Sequence, residues 1–219
     1  LSANVDIKLY DADARVVLST TFTLLLFGTL LLKLTENISW LGAFFYSVSA
    51  RTAGFSTYNL GDFSTAGLLV VSGLMFIGAS PASTGGGIKT TTFFVLLSGI
   101  YSAATNHSER AFHSAIPKDA FRKASVISML AVFLVMTASY LMLIFDPQLS
   151  LRDVLFEMIS AFSTSGLSTG ITPQLSAPSR ILSILMMYIG RLGPLTVASL
   201  WYFTIGERVR YPEGTIAIG

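Results

Sequence analysis

The sequence predicts an all-α membrane protein made of two repeats, each a long helix, a short re-entrant helix with its loop, and a second long helix. Hydrophobic residues make up 52% of the 219 residues and charged residues only 12%, whereas ordinary globular domains carry about 25% charged residues. A soluble fold with so few charges would expose large apolar patches and aggregate. We therefore expect the chain to fold in lipid.

Composition also excludes several classes of function. The absence of cysteine excludes disulfides, cysteine-ligated zinc and thiol chemistry, and a net charge of +2 is too small to indicate a nucleic-acid partner. No nucleophile–base pair or metal-ligand cluster stands out, so we expect neither an enzyme nor an organic cofactor. The chain begins at Leu1 with a mixed polar stretch, which we interpret as part of a longer protein.

The apolar segments alternate between long and short. Val16–Leu34 and Ala124–Phe145 are each long enough to cross about 30 Å of hydrocarbon as a helix. Ser39–Ala50 and Leu151–Phe162 are too short to do so. Later segments at 66–79 and 91–104 flank a polar stretch and together equal one helix, and the segment at 181–205 is interrupted at 190–194.

This order is an internal repeat. Residues 52–57 (TAGFST) reappear as residues 164–169 (TSGLST), 112 positions later and with four of six residues identical. The same register places Phe44 against Phe156. Each copy follows a short apolar segment and precedes a long helix, so the repeating unit is a whole helix–loop–helix.

The short segments predict pore helices. Irregular backbone survives at membrane depth only where it lines a water-filled cavity. There its carbonyl oxygens can replace the hydration shell of an ion, and the helix C-terminus carries partial negative charge. Gly54 and Gly166 suit such a loop because glycine tolerates positive φ and adds no Cβ. The alternative, a simple turn signal at a helix end, remains open.

A second unusual stretch runs from Ser80 to Thr90. It resembles a phosphate-binding loop, but Ile88 separates the glycines from Lys89, and that motif needs adjacent Gly-Lys. We predict an unwound segment within one broken helix, lining the conduction path and able to open or close it below the filter. The alternative is an ordinary extramembrane loop.

Isolated charges are the remaining candidates. Arg191 lies inside an apolar span, where a charge normally faces a cavity or a partner; it predicts either an electrostatic barrier or a structural ion pair. Asp62, Asp153 and Glu157 are interpreted as solvated or capping residues, with Ser150-x-x-Asp153 resembling a helix start. His107 and His113 are expected at the surface. The distribution of Lys and Arg predicts cytoplasmic termini and a cytoplasmic middle connection.

The sequence resembles the membrane subunit of the Trk/Ktr/HKT superfamily of potassium transporters, most closely the bacterial Ktr-type subunit. The resemblance rests on residues 50–55, on the run from Phe76 to Thr92, and on 162–173 together with 190–196. The ending, residues 211–219, is also similar. Ser163 and Ser165 depart from the Gly and Val expected there, and Ala79 and Ala82 stand where Gly is common.

The resemblance implies that the chain is the third and fourth of four pore repeats around one potassium pore. Residues 1–104 would be the third repeat, with an intramembrane loop at 79–90, and residues 124–206 the fourth. Residues 105–123 would form the cytoplasmic connection and 207–219 a cytoplasmic tail.

The resemblance also implies roles for individual residues. The selectivity filter would bind K+ through Thr52, Ala53, Gly54, Phe55, Thr164, Ser165, Gly166 and Leu167. Gating would involve Ser80, Ser83, Thr84, Gly85, Gly86, Gly87, Lys89 and Arg191.

Implied partners are membrane lipid, a second copy of the subunit in a homodimer, and a cytoplasmic nucleotide-binding ring. The implied location is the bacterial plasma membrane, crossed several times, with sodium as a candidate coupling ion. Two alternatives remain open: a non-conducting scaffold or accessory subunit that keeps pore-like loops for packing, and a channel assembled from two such chains.

Overall fold

A computed structural model of the chain describes residues 2–81, 83–105, 110–111 and 114–193. In this part the fold is all-α, as predicted, apart from a two-residue antiparallel hairpin. The helices are α1 (Ser2–Thr35), α2 (Trp40–Ser49), α3 (Thr65–Phe76), α4 (Thr90–Thr105), α5 (Lys118–Phe145), α6 (Leu151–Ser163) and α7 (Ala177–Leu192). Single 3₁₀ turns lie at Leu60–Asp62 and Thr172–Gln174, and the hairpin pairs β1 (Arg110–Ala111) with β2 (Ser114–Ala115).

Within these described residues, α1 and α5 contain the two stretches long and apolar enough to cross a membrane. They run from Asp13 to Thr35 and from Asp119 to Phe145. Large apolar side chains project outward along both, among them Phe22 at 69% exposed and Met129 at 74%. Such side chains would be costly in water, but lipid accommodates them.

The helices pack as two similar units. α1 packs against α2 and α3, α5 packs against α6 and α7, and contacts between α3 and α6 join the units. Two buried clusters surround the short helices: the first contains Tyr46 and draws Phe156 and Leu167 from the second unit, and the second contains Phe162 and draws Ile88 from the first unit. The predicted duplication is therefore also a duplication of packing.

Serine side chains start both short helices. Ser39 Oγ accepts a hydrogen bond from the Gly42 amide at the start of α2. Ser150 Oγ accepts one from the Asp153 amide, at 3.2 Å, at the start of α6. The helix start predicted from Ser150-x-x-Asp153 is confirmed, because each cap satisfies an amide that the first turn leaves without an intrahelical partner.

In each unit, a carboxylate just after the first long helix (α1 or α5) binds the residue that caps the start of the third helix (α3 or α7). Glu36 Oε1 accepts hydrogen bonds from the Ser64 amide at 2.9 Å and the Ser64 hydroxyl at 2.6 Å. Asp146 Oδ2 accepts the same pair from Ser176, at 3.1 and 2.9 Å. Ser64 and Ser176, the N-caps of α3 and α7, are 112 positions apart, the period of the repeat.

The last apolar segment and the connection between the repeats are described only in part. α7 continues through Gly190 and ends at Leu192, and Gly193 turns the chain with a φ of 89°, so the rest of the interruption predicted at 190–194 lies outside the described residues. The hairpin in the connection has too few residues to show an alternating pattern in the sequence. His107, His113 and residues 194–219 lie outside the described residues.

The hydrogen bonds that Asp146 accepts from Ser176 lead to a prediction about pH. Hydrogen bonds from the Ser179 hydroxyl and from Ser176 hold the pKa of the Asp146 carboxyl below its usual value. The resulting stabilisation is fully present above the unfolded-state pKa, about 3.9, and is lost as pH falls through the lower folded-state value. We expect Asp146→Asn to lower the melting temperature of the purified protein at pH 7, and this difference to shrink below pH 4.

The matched control is Asp62→Asn, because Asp62 is an exposed aspartate whose carboxylate accepts from the neighbouring Asn59 amide group. Thermal unfolding of the three proteins between pH 7 and pH 3 tests the prediction. A pH-independent difference between Asp146→Asn and the parent would contradict it.

Candidate functional site

The two predicted filter loops adopt the same unusual backbone. Thr52 and Thr164 have φ angles of 71° and 54°, and Gly54 and Gly166 have 77° and 88°. A β-branched residue at positive φ is a genuine outlier, and such strain concentrates at functional sites. Its presence at both matched positions favours a shared function over a turn signal.

The amide groups of both loops point back to the short helices that precede them. The Ala53 and Gly54 amides each donate to the Ser49 carbonyl at 3.1 Å. In the second loop the Thr164 amide donates to Ala161 and the Ser165 amide to Ser160, also at 3.1 Å. The loops therefore satisfy the last carbonyls of α2 and α6, and their own carbonyls are left to point elsewhere.

Most of the loop carbonyls have no hydrogen-bond donor. The Phe55 carbonyl is the exception, because it accepts from the Ser49 hydroxyl. Within the part of the chain that the structure describes, no hydrogen bond reaches the other seven predicted filter carbonyls: Thr52, Ala53, Gly54, Thr164, Ser165, Gly166 and Leu167. Backbone carbonyls away from bulk water are normally paired, so such a group needs water or a cation.

The two loops lie against each other. A Cβ added at Gly54 would overlap the Ser165 carbonyl oxygen, and one added at Gly166 would lie 3.9 Å from the Gly54 Cα. The eight predicted filter residues thus belong to one place in the fold. Gly54 is required twice, by its backbone angle and by the close approach of Ser165.

The two ends of the stretch between α3 and α4 are hydrogen-bonded to each other. Ile77 and Ile88 pair as an isolated parallel bridge, with the Ile88 amide donating to the Phe76 carbonyl at 3.0 Å. The Thr90 amide donates to the Ala79 carbonyl at 3.3 Å. The chain thus leaves α3 and enters α4 at almost the same point, the geometry expected for an unwound segment within a broken helix.

The tip of this segment packs against both filter loops. The Gly86 amide donates to Thr164 Oγ1 at 3.0 Å, and a Cβ at Gly86 would lie 2.9 Å from the Phe162 carbonyl oxygen. A Cβ at Gly85 would lie 2.8 Å from Thr52 Oγ1. Gly85, Gly86 and Gly87 are buried. Only residues without side chains fit here.

Lys89 holds the segment in this shape. Its Nζ donates to the Gly85 carbonyl at 2.6 Å and contacts the Ser83 carbonyl at 3.4 Å. Ser83 in turn donates through its hydroxyl to the Ser80 carbonyl at 2.5 Å. Thr84 is exposed at the surface of the turn. Four of the predicted gating residues of this segment, Ser80, Ser83, Gly85 and Lys89, are therefore joined by hydrogen bonds.

Arg191 lies near the same unit. A Cβ at Gly190 would overlap the Phe162 carbonyl, so α7 approaches the end of α6 closely, and the next residue is brought beside the base of the second filter loop. Arg191 is exposed and close enough to Lys89 for their charges to repel. The described residues contain no carboxylate within ion-pair distance of Arg191, which leaves the ion-pair alternative without a partner there.

Two charged residues have structural positions that sequence reasoning missed. Arg51 donates to the Gly78 carbonyl at 3.3 Å, which anchors the start of the intramembrane segment. Glu157 was interpreted as solvated or capping, and this is wrong. It is only 9% exposed and accepts hydrogen bonds from Ser168 and Thr172. The sequence did contain a signal for this burial. Glu157 lies three residues after Val154 and four before Ala161, a spacing that places it on the buried face of α6.

The two serines that depart from the family pattern are accommodated by hydrogen bonds. Ser163 Oγ donates to the Ser160 carbonyl at 3.2 Å. Ser165 Oγ lies 3.3 Å from Ser160 Oγ and 2.9 Å from Met75 Sδ.

Among the described residues, no group of three or more His, Cys, Asp or Glu side chains could hold a metal ion. Any cation bound here would rely on backbone and hydroxyl oxygens.

Comparison with known proteins gives consistent results. The TrkH family, described as cation transport proteins, matches residues 14–204. Ktr system potassium uptake protein B of Vibrio alginolyticus is 37% identical, over 94% of this chain and 48% of the relative. Potassium/sodium uptake protein NtpJ of Enterococcus hirae is 31% identical, over 97% of this chain and 51% of the relative. The chain thus spans about half the length of these relatives.

A solved structure shares the fold. The crystal structure of the potassium transporter TrkH from Vibrio parahaemolyticus superposes with a TM-score of 0.70, at 18% sequence identity, and the match covers 87% of this chain and 44% of that one. At this identity the likeness bears on the fold alone. It agrees with a chain that corresponds to about half of a larger helical assembly.

The contact between the two loops predicts graded effects of substituting their glycines. Gly54→Ser should strongly weaken the preference for potassium over sodium, because the new side chain meets the Ser165 carbonyl and the backbone angle disfavours it. Gly166→Ser should have a smaller effect, because only the angle opposes it. Isotope flux through the full-length subunit, normalised to membrane abundance, measures both.

Gly73→Ser serves as the control, because a Cβ at this helical position meets nothing within 4 Å. We expect it to transport as the parent does. Equal effects of the two filter substitutions would contradict the steric argument, and a parental preference in Gly54→Ser would remove the role assigned to this glycine.

Proposed function

The chain belongs to the TrkH family of cation transport proteins, and we propose from that premise that it forms half of the pore of a bacterial potassium uptake protein. Its relatives are named as potassium uptake proteins. The proteins of this family are ion transporters and not enzymes, in agreement with the expectation drawn from composition.

The observation that carries the proposal is the row of unpaired carbonyls in the two loops. The Ala53, Gly54, Thr164 and Ser165 amides donate to carbonyls of α2 and α6, so the loop carbonyls are the groups left to meet an ion. Two of these carbonyls belong to the buried residues Ser165 and Leu167. A loop kept only for packing would be expected to pair them, because an unpaired buried carbonyl costs free energy. The arrangement therefore supports conduction over the scaffold alternative.

In the proposed pore, each loop contributes one side of the filter. The carbonyls of Thr52, Ala53 and Gly54 on one side, and of residues 164–167 on the other, would replace part of the hydration shell of K+. The C-terminal ends of α2 and α6 would add partial negative charge. Two further loops, from the remainder of the full-length subunit, would complete the ring.

The segment Ser80–Lys89 is proposed as a gate. It packs beneath both filter loops and carries Lys89, with Arg191 nearby. Two positive charges on the ion path would repel an arriving cation in a site of low dielectric constant. Conduction would then require the segment to move away, which its small residues permit.

The wider arrangement is also proposed. The subunit would cross the plasma membrane several times with both termini and the connection at 105–123 in the cytoplasm. It would pair with a second copy and dock on a cytoplasmic nucleotide-binding ring, with sodium as a candidate coupling ion. Residues 1–104 and 124–206 would be successive pore repeats, followed by a tail at 207–219.

Complementation tests the function directly. The full-length gene, expressed in a bacterial host that lacks its own potassium uptake systems, should restore growth at low external potassium. The same cells should accumulate rubidium, which serves as a tracer. A correctly inserted protein that supports neither growth nor tracer uptake would contradict the proposal and favour the scaffold alternative.

Removal of the proposed gate provides a second test. Deletion of residues 82–87 should raise potassium flux, because the buried tip that packs against both filter loops is removed while the flanking helices remain. Flux per inserted molecule is the relevant measurement. Unchanged or abolished flux in a well-inserted deletion would argue against gating by this segment.

Arg191 provides a third test. Arg191→Gln removes the charge and leaves a polar, unbranched side chain of similar length, so we expect a higher uptake rate or a lower KM for potassium at normal membrane abundance. Arg180→Gln is the matched control, because Arg180 is an exposed arginine at the other end of α7 that bonds the Pro173 carbonyl. Low abundance with normal uptake per molecule in Arg191→Gln would indicate a structural role instead.

A further inference from the structure

Glu157 is a buried carboxylate on the inner face of α6, directly behind the second filter loop. Its Oε1 accepts a hydrogen bond from Ser168 Oγ and another from Thr172 Oγ1, the latter at 3.1 Å. Both donors follow the filter sequence 164–167. One carboxylate oxygen thus holds two points of the chain that leaves the filter, which we call the outgoing limb (residues 168–172).

The limb itself is organised around the first of these contacts. Ser168 Oγ, while donating to Glu157, accepts a hydrogen bond from the Gly170 amide at 2.9 Å and lies 2.9 Å from Thr172 Oγ1. Loss of the carboxylate would leave the Ser168 and Thr172 hydroxyls bonded only within the limb, and no longer to α6.

Glu157 also borders the filter loop across a cavity. The cavity has a volume of about 320 Å³ and is lined by Glu157 together with Thr164, Gly166, Leu167 and Ser168. Leu167 and Ile171 pack into the buried clusters on either side of this cavity. The hydrogen bonds that Glu157 accepts add a polar restraint between the limb and α6, which resists displacement of the limb and with it of the Gly166 carbonyl.

In the first repeat, a different residue of the short helix binds the chain that follows the filter loop. Tyr46, fully buried on α2, accepts hydrogen bonds at its hydroxyl from the Thr57 amide at 3.2 Å and the Tyr58 amide at 2.8 Å. It also donates to the Tyr58 carbonyl at 2.6 Å. In each repeat, therefore, one side chain of the short helix binds the chain that follows the filter loop. Tyr46 and Glu157 do not occupy matched positions in the repeat.

We propose that Glu157 is a positioning residue that determines ion preference by tethering the outgoing limb of the second filter loop. The inference rests on the proposed function, because it assumes that this loop selects an ion. Glu157 acts as a hydrogen-bond acceptor for Ser168 and Thr172. Among the described residues, no cation lies within ion-pair distance of it, so its effect on the filter passes through the limb.

The test compares two substitutions in the full-length subunit. Glu157→Gln retains a side-chain oxygen that can accept from both hydroxyls, whereas Glu157→Ala removes the acceptor. Two properties are measured: hydrogen exchange of the amides in residues 165–172 of the purified protein, and the ratio of potassium to sodium uptake per inserted molecule. Ser183→Ala is the control, because Ser183 lines the same cavity but bonds the Ser179 carbonyl of its own helix.

We expect Glu157→Ala to speed exchange of the Gly170 amide and to lower the potassium preference about tenfold or more, the order expected when hydrogen bonds to a charged group are lost. Glu157→Gln and Ser183→Ala should stay close to the parent in both measurements. If Glu157→Ala inserts poorly, Thr172→Val takes its place, because it removes one donor to Glu157 and leaves the Gly170–Ser168 hydrogen bond intact; it should change both measurements in the same direction.

Two results would overturn the tether. One is parental exchange or parental ion preference in Glu157→Ala, and the other is an equal defect in Glu157→Gln, which would assign the effect to charge. Failure of the proposed function gives a different result. The parent itself would then carry no potassium, while hydrogen exchange would still show whether Glu157 holds the limb.

Discussion

The arrangement of the two filter loops depends on where their backbone amides can find acceptors. A short helix that ends inside the membrane leaves carbonyls without partners, and the loop that follows it brings amides that also need partners. In both repeats these two needs are met together, through Ser49 in one and through Ser160 and Ala161 in the other. The positive φ angles at Thr52 and Thr164 follow from the sharp turn that this pairing requires.

Close backbone approach is the second constraint, and it explains where glycine stands. Gly54 meets the Ser165 carbonyl, Gly86 meets the end of α6, and Gly190 meets the Phe162 carbonyl. These contacts join the first loop, the intramembrane segment and α7 to the second loop. The proposed ion path, its proposed gate and the helix that carries Arg191 are thereby packed together.

Sequence reasoning succeeded where the signal was local or repeated. The lengths of the apolar segments predicted α1, α2, α5 and α6, and the duplicated TxGxST motif located both strained loops. It failed for Glu157 and Arg51, because their roles depend on partners distant in sequence or across a loop. A charged residue on an otherwise apolar helix face gives the same sequence pattern whether its side chain contacts water, a hydroxyl or a carbonyl. The hairpin between the repeats has too few residues to show alternation.

The bridge between Ile77 and Ile88 has a consequence for kinetics. Because the two ends of the segment are already joined, its tip can swing without any change in the separation of α3 and α4. The proposed opening would then break the contacts of the buried tip, among them the hydrogen bond from the Gly86 amide to Thr164 and those from Lys89 to the Gly85 and Ser83 carbonyls, and a typical hydrogen bond contributes about 1 kcal/mol. Lid openings occur within microseconds to seconds. The proposed gate would then move on this timescale without a hinge motion between α3 and α4, and a partner would need only to bias how long it stays in each position.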